Sequence, residues 1–534
     1  MSSESFIPPG ARNQTEVFAV HGADPEVLAY AMAKYSRSAL SMRESLTEIS
    51  SQRAEQFLNT FYFQYGHRSI ADLAHVAIAI ERLSLLAAIV LVDEQRWDGQ
   101  ERSTRYQNFL KSGWYLPDFG QDSGSAALYA KTVENLFATY QRTTAAVLEA
   151  LRRHGPCPAT LKPEAYERTL KARAFDVARY LLPLATNTSL GQLVNARTLE
   201  TQVSRLLSHP LAEIRDLGMK LREAASGPAW KVNEESAAAF VAKLAATDPE
   251  LGAEAANLLT REVRTAPTLV KYAQPSEYEI RTRAELAQAA HELLKNQPIA
   301  GAPVVDLVEQ TETLEVELAA TLLYSASHHP YRQIRDLVAA LPEARVAEIV
   351  ELGLRHRGKH DEALRAFHAG AALRFDILMD IGGFRDMHRH RRCVQIIQGF
   401  TALHGYETPT SGDLAPHGES GETNILAEAG ILADYQSAIE QAHRASAQIA
   451  GCGGPEADQS ALYLLPLATR IRSLFKMDFA EAQYIAELRS GPAGHFSYRR
   501  VAWEMYLAVE RQHPTLAKYI RVTDFTKPID LLQR

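Results

Sequence analysis

The sequence predicts an α+β protein, dominated by helices and built as two homologous units, residues 1–275 and 276–534. Three observations carry this. Tyr180-Leu181-Leu182-Pro183-Leu184-Ala185-Thr186 recurs letter for letter at residues 463–469. Pro267-Thr268-Leu269-Val270-Lys271-Tyr272 returns as Pro514-Thr515-Leu516-Ala517-Lys518-Tyr519. Self-similarity at a domain-sized offset marks a duplicated domain rather than a solenoid. The offsets are 463 − 180 = 283 and 514 − 267 = 247, so the copies differ by insertions between these points. Finally, most of the chain places apolar residues at helical spacing, and only two short stretches read as strands.

The elements follow in order. Residues 25–60 read as helices, 76–80 as a β-branched strand and 83–92 as a buried helix. Residues 97–106 are polar and read as a loop. Helical patterns cover 125–152, 163–180 (broken by Pro183), 194–224, 235–245 and 249–264. Gln274-Pro275-Ser276 punctuates the boundary between units. The second unit opens with helical stretches at 283–295, 312–326 and 332–356. Residues 372–380 alternate as a strand, Gly382-Gly383 punctuates it, and a basic helix is expected over 384–392. Residues 405–424 read as loop, and 426–450 and 475–488 as helices.

Bulk properties narrow the function. At 534 residues, two domains of ordinary size fit. A hydrophobic content of 46% and a charged content of 23% are those of a soluble globular protein. The net charge of −7 argues against nucleic-acid binding but allows a local basic pocket. Cys157, Cys393 and Cys452 have neither metal spacing nor disulfide density, so a reducing cytoplasm is expected. Met-Ser-Ser-Glu-Ser lacks the parts of an export signal. The apolar stretch 73–92 is interrupted by His75, Glu81 and Arg82, which argues against a membrane span.

Four spots carry chemistry. Arg385-Asp386-Met387-His388-Arg389-His390-Arg391-Arg392 is the densest cationic run. Its guanidinium forks suit phosphate or carboxylate, although a charged helix end would look alike. Gln100-Glu101-Arg102-Ser103-Thr104-Arg105-Tyr106 offers hydroxyls, backbone N–H groups and a guanidinium, either as an anion grip or as a polar loop. Asn195-Ala196-Arg197 precedes Arg205 and His209, which are four apart and share a helix face. Arg489 with His495 is their counterpart in the second unit. His360, Glu362, His368 and His388 show no metal-ligand spacing, so no metal is expected. Cys393 beside Arg392 reads as a small buried residue rather than a nucleophile.

Together these spots resemble the flavin-dependent thymidylate synthase (ThyX) family. Arg389-His390-Arg391 is similar to its Arg-His-Arg motif, and residues 100–106 to the Ser-Gly-Arg-Tyr loop end, with Thr104 in place of glycine. The Leu-Pro-Leu segment occurs once per unit. Asn195-Ala196-Arg197 with Arg205 and His209 resembles the last motif, and Gly66-His67-Arg68-Ser69 an early Gly-His segment. The resemblance implies a small antiparallel sheet surrounded by helices in each unit. It also implies FAD as cofactor, with NADPH and methylenetetrahydrofolate as co-substrates for C5 methylation of dUMP. On this resemblance Arg489, or its counterpart Arg205, sits on the pyrimidine. Ser103 and Arg105, with Gln100, Glu101 and Thr104 on the same loop, hold the nucleotide. Arg389, His390, Arg391, Asn195, Arg197, His209, His67 and His495 make the flavin site.

Each unit departs from the pattern. In the first, Asp93-Glu94-Gln95 stands where Arg-His-Arg belongs. In the second, Cys393-Val394-Gln395-Ile396-Ile397-Gln398-Gly399-Phe400 lacks Ser-x-Arg-Tyr, and Asp478-Phe479-Ala480 stands for Asn-Ala-Arg. Family members are homotetramers with sites between subunits. The expectation is therefore an intrachain pseudo-dimer that rebuilds one interface, assembled further as a homodimer of pseudo-dimers. Three readings stay open: thymidylate synthase, a flavin enzyme on another nucleotide-like anion, and a non-catalytic nucleotide- or flavin-binding paralogue.

Overall fold

A computed structural model describes residues 18, 20, 22–34, 42–48, 68–153, 157–271, 273–309, 311–358, 361, 363–367, 373–409, 424–452, 455–518 and 520–527. These form two compact units. The smaller gathers residues up to 76 with 195–197 and 223–272; the larger gathers 77–194, 198–222 and 273 onward.

The smaller unit is helical: Pro25–Lys34, Met42–Glu48, a 3-10 turn at Arg68–Leu73, Glu234–Thr247 and Pro249–Leu259. Asp248 caps the last helix, accepting from the N–H groups of Glu250 and Leu251 at 3.0 and 3.1 Å. Buried Glu26 accepts from the amides of Thr268 and Leu269, both at 2.8 Å, which ties down the first copy of the second repeated peptide.

The larger unit holds two sheets. The first contains β1 (His75–Ser84), β2 (Asp98–Glu101) and β3 (Asn187–Asn195) in the order β1-β3-β2, with β2 antiparallel to β3. The second contains β4 (Val305–Leu307), β5 (Leu373–Asp380), β6 (Val394–Ile397) and β7 (Arg470–Met477) in the order β4-β5-β7-β6, antiparallel throughout. The helices that matter below are α1 (Leu85–Leu91), α2 (Ser123–Arg153), α3 (Pro163–Ala178), α4 (Ala196–Leu207) and α5 (Ala212–Ser226) from the first copy. From the second copy come α6 (Ile381–Met387), α7 (Leu432–Ala450), α8 (Phe479–Ser490) and α9 (Phe496–Gln512).

The two copies repeat one another bond for bond. Leu85 N–H donates to the Thr186 carbonyl and Ile381 N–H to the Thr469 carbonyl, both at 2.9 Å. Tyr115 donates to Ala185 and Glu407 to Ala468, both at 2.8 Å. Side-chain caps open the short helices: Ser84 Oγ accepts from Ala87 N–H, and Asp380 from Gly383 N–H. Beneath each cap lies a hydroxyl–carboxylate pair with the residue types exchanged. Ser84 Oγ donates to Glu213 at 2.7 Å, whereas Ser497 Oγ donates to Asp380.

The repeated heptapeptides pair with each other. Leu184 N–H donates to the Leu465 carbonyl and Leu467 N–H to the Leu182 carbonyl, both at 2.9 Å. Ala185 donates to Tyr463 at 2.8 Å and Ala468 to Tyr180 at 3.1 Å. Each bond recurs with the copies interchanged, the signature of an isologous two-fold contact. The copies therefore form an intrachain pseudo-dimer. Tyr180, Leu182, Leu184, Tyr463, Leu465 and Leu467 are all buried, and each such leucine contributes about 2 kcal/mol of apolar burial at the seam.

Several local expectations are corrected. The loop expected at 97–106 contains β2, and β3 and β7 occupy stretches where no element is expected, except that 194–195 and 475–477 read as the starts of helices. Gly382 and Gly383 lie inside α6, which ends at Met387, so residues 388–392 form a turn rather than a basic helix. The reason is packing: a Cβ on Gly383 would stand 2.5 Å from Ser497 Oγ, so only glycine lets α9 approach there. The helix expected over 332–356 divides into Tyr331–Ala339 and Glu343–Leu352, with Pro342 at the break.

Candidate functional site

Two turns build the site, one from each copy. After α6 the chain turns through residues 388–392, and after β2 through residues 102–106. Both belong to the larger unit.

Arg105 reaches from the first turn into the other copy. Its Nε and Nη2 bond Asp176 of α3 at 2.8 and 3.3 Å. Its Nη1 donates to the Tyr498 hydroxyl at 2.8 Å and its Nη2 also to the Ala493 carbonyl at 3.1 Å. The side chain is buried, and each nitrogen of its fork has a partner. Ser103 Oγ accepts from Arg105 N–H at 3.3 Å, and Thr104 is buried beneath the turn. Glu101 pairs with Arg385 of α6, while Gln100 is exposed on β2.

From the other side, Arg489 in the last turn of α8 donates through Nε to His390 Nε2 at 2.7 Å. That bond requires an unprotonated Nε2. The other ring nitrogen faces Glu481 at 3.6 Å. Burial lowers the pKa of His390 and the Glu481 carboxylate only partly opposes it, so the ring is neutral. Arg489 also lies over the Tyr498 ring, 5.4 Å from its centroid. Arg389 is exposed. Arg391 stacks on Trp97 at 4.3 Å, with its Nε unpartnered among the described residues.

Asp386 of α6 sits among these cations. It accepts from Arg179 Nη1 at 3.3 Å. Burial raises its pKa, but the charges of Arg179, Arg105, Arg389 and Arg489 outweigh that and hold it at about 2. Arg179, Arg105, Arg389 and Arg489 thus all act on one carboxylate.

The other expected residues lie elsewhere. Arg205 donates to Glu94 at 2.9 Å and to the Val90 carbonyl at 2.9 Å. This is the counterpart of the Arg489–His390 bond: α1 and α6 begin at residues 85 and 381, an offset of 381 − 85 = 296, which places Glu94 where His390 stands. His209 Nδ1 accepts from Leu211 N–H at 3.1 Å, and burial, aided by nearby Arg283 and Arg205, lowers its pKa to about 3. Asn195 ends β3, and Arg197 lies 3.5 Å from Asp72; both belong to the smaller unit. His67 lies outside the described residues. His495 is fully buried and commits both ring nitrogens, Nδ1 accepting from Ser497 N–H at 3.2 Å and Nε2 donating to the Asp176 carbonyl at 2.9 Å. It caps α9 and steadies Asp176 rather than presenting a nitrogen to a ligand.

Among the described residues the cationic cluster is complete only once. By the same offset, Val90 replaces Asp386 and Asp93 replaces Arg389. Arg102 and Gln398 donate equivalently to the carbonyls of Ser189 and Arg472, so Thr401 stands for Arg105. Leu462, just before the second heptapeptide, stands for Arg179. Asp93 pairs with Arg365 instead. A small, open cleft lies here, lined by Asp93, Glu94, Arg365, His388, Arg391 and Cys393 among others. Burial pushes the Cys393 thiol up to about 12, which removes it as a nucleophile.

Sequence reasoning missed Asp176, Arg179, Asp386 and Tyr498. One signal was available: Arg179 immediately precedes the first heptapeptide where the second has Leu462. Among the described residues no group of three or more His, Cys, Asp or Glu is placed to hold a metal, and no helix is long and apolar enough to cross a membrane.

Fold and site define a duplicated α+β protein whose copies jointly assemble one arginine-rich centre. The family model described as "Thymidylate synthase complementing protein" matches residues 18–227 and 306–515, and the chain belongs to this family, with its domain present twice. The matches leave out the helices Glu234–Thr247 and Pro249–Leu259, which fall in the stretch where the repeat offset changes from 283 to 247. A UPF0159 protein of Chlamydia pneumoniae is 26% identical over 97% of this chain and 93% of its own length. Another, from Thermoplasma acidophilum, is 24% identical over 92% and 94%. A flavin-dependent thymidylate synthase of Clostridium tetani is 24% identical over 33% of this chain and 67% of its own. The solved ThyX of Helicobacter pylori, complexed with FAD and dUMP, covers 38% of this chain and 89% of its own at 18% identity, with a TM-score of 0.25.

Proposed function

We propose that this chain is a flavin-dependent enzyme of the thymidylate synthase type. It would methylate a pyrimidine nucleotide, dUMP in the first instance, at C5, using FAD, methylenetetrahydrofolate and NADPH at one centre built from both copies. The observation that carries the reading is Arg105 of the first copy bonded to Tyr498 of the second, in the same cluster as the Arg489–His390 pair. The residues fit a flavin: Arg389 is exposed, and Arg391 lies over Trp97 with its Nε unpartnered among the described residues. When bound, the flavin supplies the hydride chemistry. The chain's task is orientation and charge. Arg489, held by neutral His390, presents a guanidinium to the pyrimidine, and Ser103 on its turn offers a hydroxyl to the nucleotide.

Purified full-length protein tests this. Visible flavin absorbance, its bleaching by NADPH, and rescue of a thymidine auxotroph are the expected outcomes. A colourless protein that FAD cannot reconstitute would leave a binding paralogue instead. A second reading, a flavin enzyme acting on another nucleotide-like substrate, is favoured by one feature. Each nitrogen of the Arg105 fork already has a protein partner, and Asp386 already sits among the arginines. A flavoprotein that fails to rescue the auxotroph would select that reading.

A further inference from the structure

Asp386 and Arg179 form an ion pair across the seam between the copies, Arg179 from the first and Asp386 from the second. Their equivalents, Leu462 and Val90, are both apolar. Both charges are therefore present on one side of the pseudo-two-fold and both absent on the other. The site is built to hold them. Arg179 is 2% exposed, and its Nη1 donates to Asp386 while its buried Nε and Nη2 have no hydrogen-bond partner among the described residues. Asp386 is the more open partner, its side chain 16% exposed against 2% for Arg179. A ligand entering the arginine cluster therefore meets a carboxylate already seated there.

We propose that Asp386 is a specificity-determining residue: a built-in carboxylate in the anion seat of the arginine cluster, which discriminates against dianionic phosphate monoesters. The inference rests on the nucleotide reading only in taking this cluster as the substrate seat. The physical basis is direct. A ligand dianion must either displace the carboxylate from Arg179 or lie against it, and like charges brought together in a shielded site cost several kcal/mol. A substrate uncharged at this end, such as a nucleoside, escapes that cost. For the pyrimidine substrates of the proposed reaction, Asp386 thereby reduces the share of the affinity that a terminal phosphate supplies and leaves most of it to the pyrimidine and sugar.

The test is calorimetric binding of deoxyuridine, dUMP and inorganic phosphate to the full chain at about pH 8, where a phosphate monoester, with a second pKa of roughly 6, is a dianion and inorganic phosphate is mostly one. In the native chain dUMP is expected to bind no more than about threefold more tightly than deoxyuridine. Asp386→Asn is expected to bind dUMP at least about tenfold more tightly and deoxyuridine within about twofold of native. Asp386→Glu, which keeps the charge, should keep the native ratio. Asp386→Ser repeats the test with a smaller neutral side chain should the asparagine variant fold poorly. A native chain that prefers dUMP by about tenfold or more, with that preference unchanged or reduced in Asp386→Asn, overturns the proposal. Should neither nucleoside nor nucleotide bind any variant, the nucleotide reading fails by itself. Inorganic phosphate then decides: binding about tenfold tighter to Asp386→Asn upholds the charge discrimination, and equal or absent binding overturns it.

Discussion

Arg489 donates to His390 Nε2 at 2.7 Å, while its counterpart Arg205 donates to Glu94 at 2.9 Å. The same bond at equivalent places thus holds a neutral imidazole in one copy and a carboxylate in the other. The first arrangement leaves a guanidinium charge available to a ligand; the second cancels it. The duplicated scaffold thus has one place where this arginine faces a neutral partner and one where it is paired with a carboxylate.

One flavin per chain is the first consequence. Flavin absorbance against protein concentration should settle at one equivalent, and nucleotide titration should give one site. Two equivalents would show that Asp93, Glu94 and Thr401 do not disable the second place.

Arg105→Ala should remove nucleotide-dependent flavin oxidation and lower stability by about 3 kcal/mol, because the buried Asp176 carboxylate loses its bond to the Arg105 guanidinium. Arg105→Met with Asp176→Leu should recover most of the stability but none of the oxidation. Urea unfolding and stopped-flow flavin oxidation separate the two effects. Activity in the double variant would make Arg105 purely structural.

The exchanged hydroxyl–carboxylate pairs predict a rescue. Ser84→Asp alone sets a second carboxylate against Glu213 and should destabilise the chain. Adding Glu213→Ser reproduces the Asp380–Ser497 arrangement and should restore stability, with a coupling of about 2 kcal/mol in a double-mutant cycle. Additive losses would mean that the two caps are not interchangeable.

Acid should loosen the fold through its buried histidines. His209 is lowered to about 3 and His404 to about 4, both by burial first and nearby arginines second, and burial lowers His390. These groups bind protons more readily unfolded, where the pKa is about 6.5. Their contribution is therefore complete above pH 6.5 and declines as pH falls toward the folded pKa. From pH 6.5 to 5 each can cost up to roughly 2 kcal/mol. Urea midpoints across this range should fall, and His209→Asn should flatten part of the slope. A midpoint independent of pH would contradict the neutral assignments.

The strands most misread from sequence, β3 and β7, explain why local pattern was insufficient. In β7, Arg472 and Lys476 are charged yet buried, which disguises the strand as a polar stretch. They are tolerated because Asp376 and Glu317 meet them at 2.9 and 2.8 Å, partners 96 and 159 residues away. β3 goes unassigned except for Val194 and Asn195, which read into the helical pattern that follows it, because a strand is completed by neighbours on other strands rather than within the segment.

The sequence by itself determined the duplication, the helix-dominated α+β class and the division of cationic motifs between copies, since identity and residue type are local properties. Tertiary structure alone decided that the two heptapeptides pair with each other, that Arg105 spends its donors on Asp176, Tyr498 and Ala493, and that Asp386 sits among the arginines. Those contacts join residues up to 393 positions apart. Charge balance at a site depends on distance in space, and no residue's neighbours across a pseudo-two-fold seam are written beside it in the chain.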